Sequence, residues 1–234
     1  MKPKTLDIKV NNEIVSSRIF SKGSANKIIL FCHGFPGTNR LDKLKTSLEN
    51  QPLEFVEINY RGDKLSEGKF SFLGSIEDVT AVAKYLRAKN KSAKIYALGC
   101  SGGGFYVLNA EKENPGIFDK IILLNSLLNA EFLEKSNKMN QLWKVAEKIL
   151  TLNSNKFYKI ELKKVIKKHN PMKFAHEIKA EIKIVQSIND ELFSTNVTRL
   201  FNSKLSKSSK IEWVQKKGHD LEGNERELVR ELLE

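Results

Sequence analysis

Two cysteines in 234 residues cannot build a disulfide framework. The four histidines are scattered with no Cys-x-x-Cys pair beside them, so the spacing offers no zinc site. Long apolar runs are missing too: the longest, Ile28 to Cys32, has five residues, against the roughly 20 that a spanning helix needs. The opening Met-Lys-Pro-Lys runs into alternating polar and apolar residues rather than an apolar segment, which argues against a secretory signal. Arginine is scarce, with 7 Arg against 33 Lys, and no helix-turn-helix, zinc-finger or RNP-like pattern occurs. The net charge of +12 therefore does not point to nucleic acid. These absences lead us to expect a reduced, cytoplasmic, single-domain protein.

What is present reads as a globular α/β chain, with 40% hydrophobic and 29% charged residues. Residues 5–10 and 14–20 alternate around Asn11-Asn12, the pattern of an antiparallel hairpin. Lys27–Cys32 reads as a buried central strand, followed by a polar helix near 39–50 and a strand over Leu53–Tyr60. Ser75 is expected to cap the next helix, with Asp78 three residues on and Ile76, Val79, Val82, Ala83 and Leu86 at helical spacing. Strands follow at Lys94–Leu98, Phe118–Leu124, Ile182–Ser187 and Lys210–Gln215. Helices are expected from the Gly99–Gly104 turn to about Lys112, near Thr195–Leu205, and from Glu222. Alternating strands and helices predict a mostly parallel sheet covered on both faces. The stretch 131–179 interrupts the alternation with lysine-rich helices and reads as an insertion, because the sheet pattern resumes after it.

The sharpest chemical signal is Gly99-Cys100-Ser101-Gly102-Gly103, a Gly-x-Ser-x-Gly motif between a predicted strand and a predicted helix. A nucleophile elbow needs that context: the serine sits on a strained turn whose neighbours must be nearly free of side chains. The N–H groups opening the following helix point at developing negative charge. A phosphate-binding turn or a plain tight loop would use the same glycines, but the strand–helix context favours the nucleophile.

His33-Gly34-Phe35-Pro36-Gly37 ends the earlier buried strand. With this segment the sequence resembles the α/β-hydrolase superfamily of serine hydrolases, in its monoacylglycerol-lipase/esterase-like branch, whose oxyanion loop is a His-Gly-x-x-Gly segment. The resemblance implies an eight-stranded, mostly parallel sheet, an oxyanion hole made by the backbone N–H groups of Phe35 and Gly102, and a bracing role for His33. Asn59-Tyr60-Arg61-Gly62-Asp63 is similar to that branch's Asp-Tyr-Arg-Gly-His-Gly, with Asn59 in place of the acid and Asp63 in place of the histidine. These changes are expected to tune a loop.

The superfamily's chain order of serine, acid, histidine then implies Asp190, after the strand Ile182–Ser187, as the acid, and His219, after the strand Lys210–Gln215, as the base. Glu191 is the fallback acid, while Asp220 follows the histidine too closely to orient its ring. His169 and His176 are expected to be solvated, and Cys32 and Cys100 to be reduced core residues near one another on neighbouring strands. No metal or organic cofactor is needed for such chemistry. The implied partner is a small-molecule acyl ester or thioester.

The insertion 131–179 matches the place where such enzymes carry a cap. It holds 12 Lys and 5 Glu, a net of +7 in 49 residues. Its apolar residues, among them Trp143, Val145, Phe157, Tyr158 and Ile160, suit amphipathic helices with one face on the site. The charge suits an anionic substrate such as acyl-CoA, acyl carrier protein or phospholipid, a peripheral contact with an anionic membrane, or simply solvated lysine faces. An acyl thioesterase and a non-catalytic hydrolase-fold binding protein are the alternatives to an esterase.

Overall fold

The computed structural model describes residues 3–21, 25–37, 46, 48, 51–207 and 209–219. The expected helix near 39–50 and the closing helix from Glu222 fall largely or wholly outside them. β1 (Lys4–Val10) and β2 (Glu13–Phe20) form the hairpin, paired from Lys4↔Ile19 to Val10↔Glu13 and closed by Asn11 at φ 56°. β3 (Lys27–Cys32), β4 (Glu54–Ile58), β5 (Lys94–Cys100), β6 (Lys120–Leu124), β7 (Glu181–Asn189) and β8 (Ile211–Lys217) complete an eight-stranded sheet. Its order is β1-β2-β4-β3-β5-β6-β7-β8. From β4 to β8 every pairing is parallel, and the two pairings of β2 are antiparallel.

Alternation along the strands sorts the core onto two faces. In β3, Ile28, Leu30 and Cys32 join one apolar cluster while Ile29 and Phe31 join the other. α1 (Phe72–Lys89) and α2 (Gly102–Glu113) pack with the first cluster, which contains Phe72, Val79, Val82, Phe105 and Leu108. The chain runs from β3 outward to β4 and then returns across β3 to β5, so strand order reverses between β3 and β5. In such sheets the crevice beyond the carboxyl ends of the strands at that reversal is where ligands bind.

The start of α1 corrects the expectation for Ser75. Ser71 is the cap, its Oγ accepting from the Gly74 N–H at 2.9 Å, whereas Ser75 lies inside the helix and its hydroxyl donates to the Ser71 carbonyl. The apolar face begins four residues earlier than the pattern Ile76, Val79, Val82 suggests, at Phe72, and the small Ser75 sits buried on it.

β6 and β7 are joined by α3 (Phe132–Lys135), α4 (Lys138–Ile149), α5 (Asn155–Lys168), α6 (Pro171–Phe174) and a 3₁₀ turn at Ala175–Glu177. α7 (Thr195–Lys204) lies between β7 and β8. Not all the apolar residues of α4 and α5 face inward: Val145, Phe157 and Ile160 are exposed, which departs from the expected single inward face. α5 reaches α1 through Glu161, which accepts from the Leu73 N–H at 3.0 Å and from the Ser71 hydroxyl. Since α1 has no acid in its own first turn, Glu161 supplies the negative charge that its N-terminus favours.

The loop after β4 is tied to α1 by a buried ion pair. Arg61 donates to Asp78 through its backbone N–H at 2.9 Å, its Nε at 3.0 Å and a terminal nitrogen at 2.7 Å, and Glu77 lies 3.0 Å from the same guanidinium. Removing Asp78 takes away the fully buried partner of this guanidinium and leaves it only the more exposed Glu77 and Glu13. Asp78→Ala is therefore expected to destabilise the protein by about 3–5 kcal/mol, read as a lower urea midpoint at unchanged slope.

Candidate active site

β5 ends in a turn that the sequence makes tight. Ser101 has φ 54° and ψ −121°, a backbone conformation that side-chain-bearing residues rarely adopt and that surrounding structure must impose. Its N–H donates to the Leu124 carbonyl at 2.9 Å, and its carbonyl accepts from Leu127 at 2.9 Å and from Gly104 at 3.2 Å. The turn is thus sewn to the end of β6 on one side and to the start of α2 on the other. Small residues are required around it. A Cβ on Gly103 would lie 1.9 Å from the Cys32 carbonyl oxygen, and one on Gly34 would lie 2.6 Å from Cβ of Ser101.

The segment after β3 therefore lies directly against the serine. A Cβ built on Gly102 would come 3.1 Å from the Phe35 nitrogen, so the Phe35 and Gly102 backbones face each other beside Ser101. His33 is buried and turned away from this space: its Nδ1 approaches the Gly34 carbonyl at 2.9 Å, its Nε2 lies 3.6 Å from Asp63, and its carbonyl accepts from Tyr60 Oη at 3.0 Å. Asp63, which stands where the similar branch has a histidine, thus pairs with His33. Burial pushes the Asp63 carboxyl up, but the hydrogen bond and charge of His33 and the Lys64 N–H more than offset it, and its pKa lies below the usual aspartate value.

The Phe35 ring sits in an aromatic cluster that no sequence motif marks. Its centroid is 4.9 Å from Phe70, 5.5 Å from Phe72 and 4.8 Å from Trp143 of α4, and Trp143 is 4.7 Å from Tyr158 of α5. The helices between β6 and β7 are thereby packed onto the loop beside the serine.

At the carboxyl ends of β7 and β8, Asp190 and His219 meet. His219 Nδ1 is 3.1 Å from both carboxylate oxygens of Asp190. The carboxylate is completely covered and otherwise satisfied: Oδ1 accepts from the N–H groups of Leu192 at 2.8 Å and Phe193 at 3.1 Å, and Oδ2 accepts from Gln186 at 3.1 Å. The ring stacks edge-on against Phe193 at 5.1 Å. Surrounded by donors, Asp190 serves as an acceptor, which selects the tautomer carrying the proton on Nδ1 and leaves Nε2 as the basic nitrogen. Glu191, the fallback acid, holds the backbone instead of the ring. Its Oε2 accepts from the N–H of His219 at 2.8 Å, and Lys138 of α4 donates to its carbonyl. Asp220 lies outside the described residues.

Asn125, the first residue beyond β6, joins these parts, and nothing in the local sequence singles it out. It has φ 39°, is fully buried, donates Nδ2 to the His219 carbonyl at 2.7 Å, and accepts from the Ser187 N–H at 2.7 Å through Oδ1. The preceding residue, Leu124, holds the Ser101 N–H. The asparagine therefore spans from the serine turn to the histidine loop. An isolated Asn after a strand carries no such signal, because both of its partners come from distant sequence.

Of the other expectations, neither Cys32 nor Cys100 is in a disulfide, and β3 and β5 are neighbours with Cys32 opposite Gly99. Cys100 is one position further on and belongs to the opposite apolar cluster, so the two thiols lie on opposite faces of the sheet rather than together. Burial pushes the Cys32 thiol far up in pKa, which keeps it protonated and inert. His176 is exposed as expected, but His169 is half-buried and its Nδ1 meets Asn109 Oδ1 at 3.2 Å. Among the described residues, no cluster of His, Cys, Asp and Glu suited to a metal ion occurs, and no helix is long and apolar enough to cross a membrane.

The family model described as serine aminopeptidase, S33 matches residues 23–195. The chain belongs to this serine-hydrolase family. The match includes Ser101 and Asp190 but ends before His219, whose placement rests on the geometry above. No curated protein matches the sequence significantly. Among solved structures, the chain is similar to Est1E from Butyrivibrio proteoclasticus, with a TM-score of 0.76 at 15% identity over 98% of this chain and 96% of that one. It is similar to the monoacylglycerol lipase of Paleococcus ferrophilus, with a TM-score of 0.71 at 14% identity over 94% and 98%. It also resembles an alpha-beta serine hydrolase homologue from Coxiella burnetii, at 0.71 and 16% over 100% and 97%. At these identities the likeness establishes the α/β-hydrolase fold, in agreement with the sheet expected from the sequence.

The role of Asn125 is open to direct measurement. Asn125→Ala would leave the Ser187 N–H and the His219 carbonyl without their partner in a buried setting. A loss of about 2–4 kcal/mol in urea unfolding is expected. Under native conditions, amide exchange near 187 and 219 should rise more than elsewhere in the sheet.

Proposed function

We propose that this serine hydrolase cleaves carboxylic esters through an acyl-enzyme on Ser101. The observation that carries the reading is the Asp190–His219 pair, held with a free Nε2 at the same edge of the sheet as a serine on a strained strand-to-helix turn. His219 Nε2 accepts the hydroxyl proton as Ser101 Oγ bonds to the ester carbonyl carbon. The carbonyl oxygen becomes an oxyanion facing the N–H groups of Phe35 and Gly102. Collapse breaks the carbon–oxygen bond to the alcohol, and His219 returns its proton to that leaving oxygen. Water then attacks the acyl-enzyme with His219 again as base, and the acid departs as Ser101 regains its proton. Asp190 orients the ring and stabilises its charged form throughout. Each oxyanion donor is worth roughly 3–4 kcal/mol in such chemistry.

The segment 131–179 is read as a cap. Trp143 on Phe35 and Lys138 on the Glu191 carbonyl support this, since both contacts tie the inserted helices to the loops that carry the chemistry. Thioesters would follow the same steps, with a thiolate leaving in place of the alkoxide.

Intact-mass measurement after a fluorophosphonate probe tests the reading. One adduct is expected on the wild type and none on Ser101→Ala, whose kcat on p-nitrophenyl esters should fall by about a millionfold. Asp190→Asn is expected to lower kcat by about 10⁴-fold, while Glu191→Gln, which keeps an acceptor oxygen for the His219 N–H, leaves it nearly unchanged. The reverse order would move the acid to Glu191. No adduct on folded wild type would favour a binding protein built on the same fold.

A further inference from the structure

The outward face of α5 carries lysines along its whole length. Its buried side carries Tyr158, Glu161 and Val165, and Glu161, its sole carboxylate, is turned inward onto the N-terminus of α1. The exposed residues include Lys156, Lys159, Lys163, Lys164, Lys167 and Lys168, so this face is cationic along its whole length, about 20 Å. Ile160 stands in the middle of it, 52% exposed, with lysines four residues before it and three, four and seven residues after it on the same side. Phe157, 39% exposed, lies one turn before Ile160.

We propose that this face of α5 docks on a lipid bilayer bearing anionic headgroups. Single exposed apolar residues are ordinary on protein surfaces, but here they are set inside a row of lysines rather than beside it. A lipid interface accommodates that mixture: Ile160 and Phe157 enter the boundary between headgroups and acyl chains. The lysine stems lie along the same boundary and their ammonium groups stay among the anionic headgroups. A nucleic acid would leave Ile160 and Phe157 in water, and α5 contains none of the arginine that reads phosphates and bases bidentately. A protein partner would need to match an apolar pair ringed by separate charges, which a fluid headgroup layer does without a preformed complement. The docking is independent of the reaction at Ser101.

Co-sedimentation of the full chain with vesicles tests this, using phosphatidylcholine alone and phosphatidylcholine doped with phosphatidylglycerol. The protein is expected on the doped vesicles only. Raising salt from about 0.1 M to about 1 M shortens the screening length from about 10 Å to about 3 Å and should release most of it. Charge reversal at Lys156, Lys163, Lys164 and Lys167 to Glu is expected to reduce partitioning at least about a hundredfold. Phe157→Ser with Ile160→Ser should weaken binding while keeping its salt dependence. If the charge-reversed protein does not fold by circular dichroism, the four Lys→Gln replacements, which preserve helix propensity, are read in the same way. Equal binding to both vesicle types, wild-type binding by the charge-altered chain, or binding to a single-stranded oligonucleotide with none to vesicles would overturn the proposal. Hydrolysis of a soluble ester should be unchanged in all these variants, which separates loss of docking from failure of the catalytic reading.

Discussion

The contact between the end of β3 and the turn after β5 governs the rest of the molecule. Gly103 lies so close to the Cys32 carbonyl that a single added carbon would sit at 1.9 Å, and Gly34 approaches the Ser101 side chain almost as closely. Two backbones can pass at that distance only where side chains are absent, so the glycines of the two motifs are consequences of one packing requirement. Once satisfied, it places a helix N-terminus, a strained serine and the Phe35 N–H in one small volume. The reversal of strand order between β3 and β5 puts that volume at the open crevice of the sheet.

Around this contact the polar groups are arranged to keep the site rigid. Asp190 has its acceptor capacity filled by two backbone N–H groups, Gln186 and the His219 ring, which fixes the ring's orientation. Glu191 and Asn125 hold the backbone of His219 from either side, through its N–H and its carbonyl. Buried networks of this kind are favourable only when complete, because each orphaned group in a low-dielectric interior carries its full desolvation penalty. The helices between β6 and β7 join the same network at Glu191 and the aromatic cluster at Phe35, so they are mechanically part of the site.

The limits of sequence reading follow from the range of each interaction. A continuous apolar run, as in β3, or a helical period, as in α1, is recorded locally, and the boundaries are legible to within a few residues. Ser75 reads as a cap because a serine on a buried helix face and a serine at a helix start look alike until the packing of Phe72 is known. Val145, Phe157 and Ile160 read as inward-facing because hydrophobicity alone marks no direction on a helix whose buried side is set by α1, Phe35 and Glu161. Cys32 and Cys100 are in adjacent strands as expected, yet the parity of the β3–β5 register sends their side chains apart.

The sequence by itself determined the alternation of strands and helices and marked Ser101 by its flanking glycines, because these are short-range properties; Asp190 and His219 became candidates through the chain order that the resemblance to α/β-hydrolases implies. Only the tertiary structure decided which carboxylate meets the His219 ring and which meets its backbone. Only the tertiary structure showed that Asn125 links the serine turn to the histidine loop, that Asp63 pairs with His33, and that Trp143 covers Phe35. Each of these depends on groups brought together from separate parts of the chain, and no local pattern encodes a distance between them.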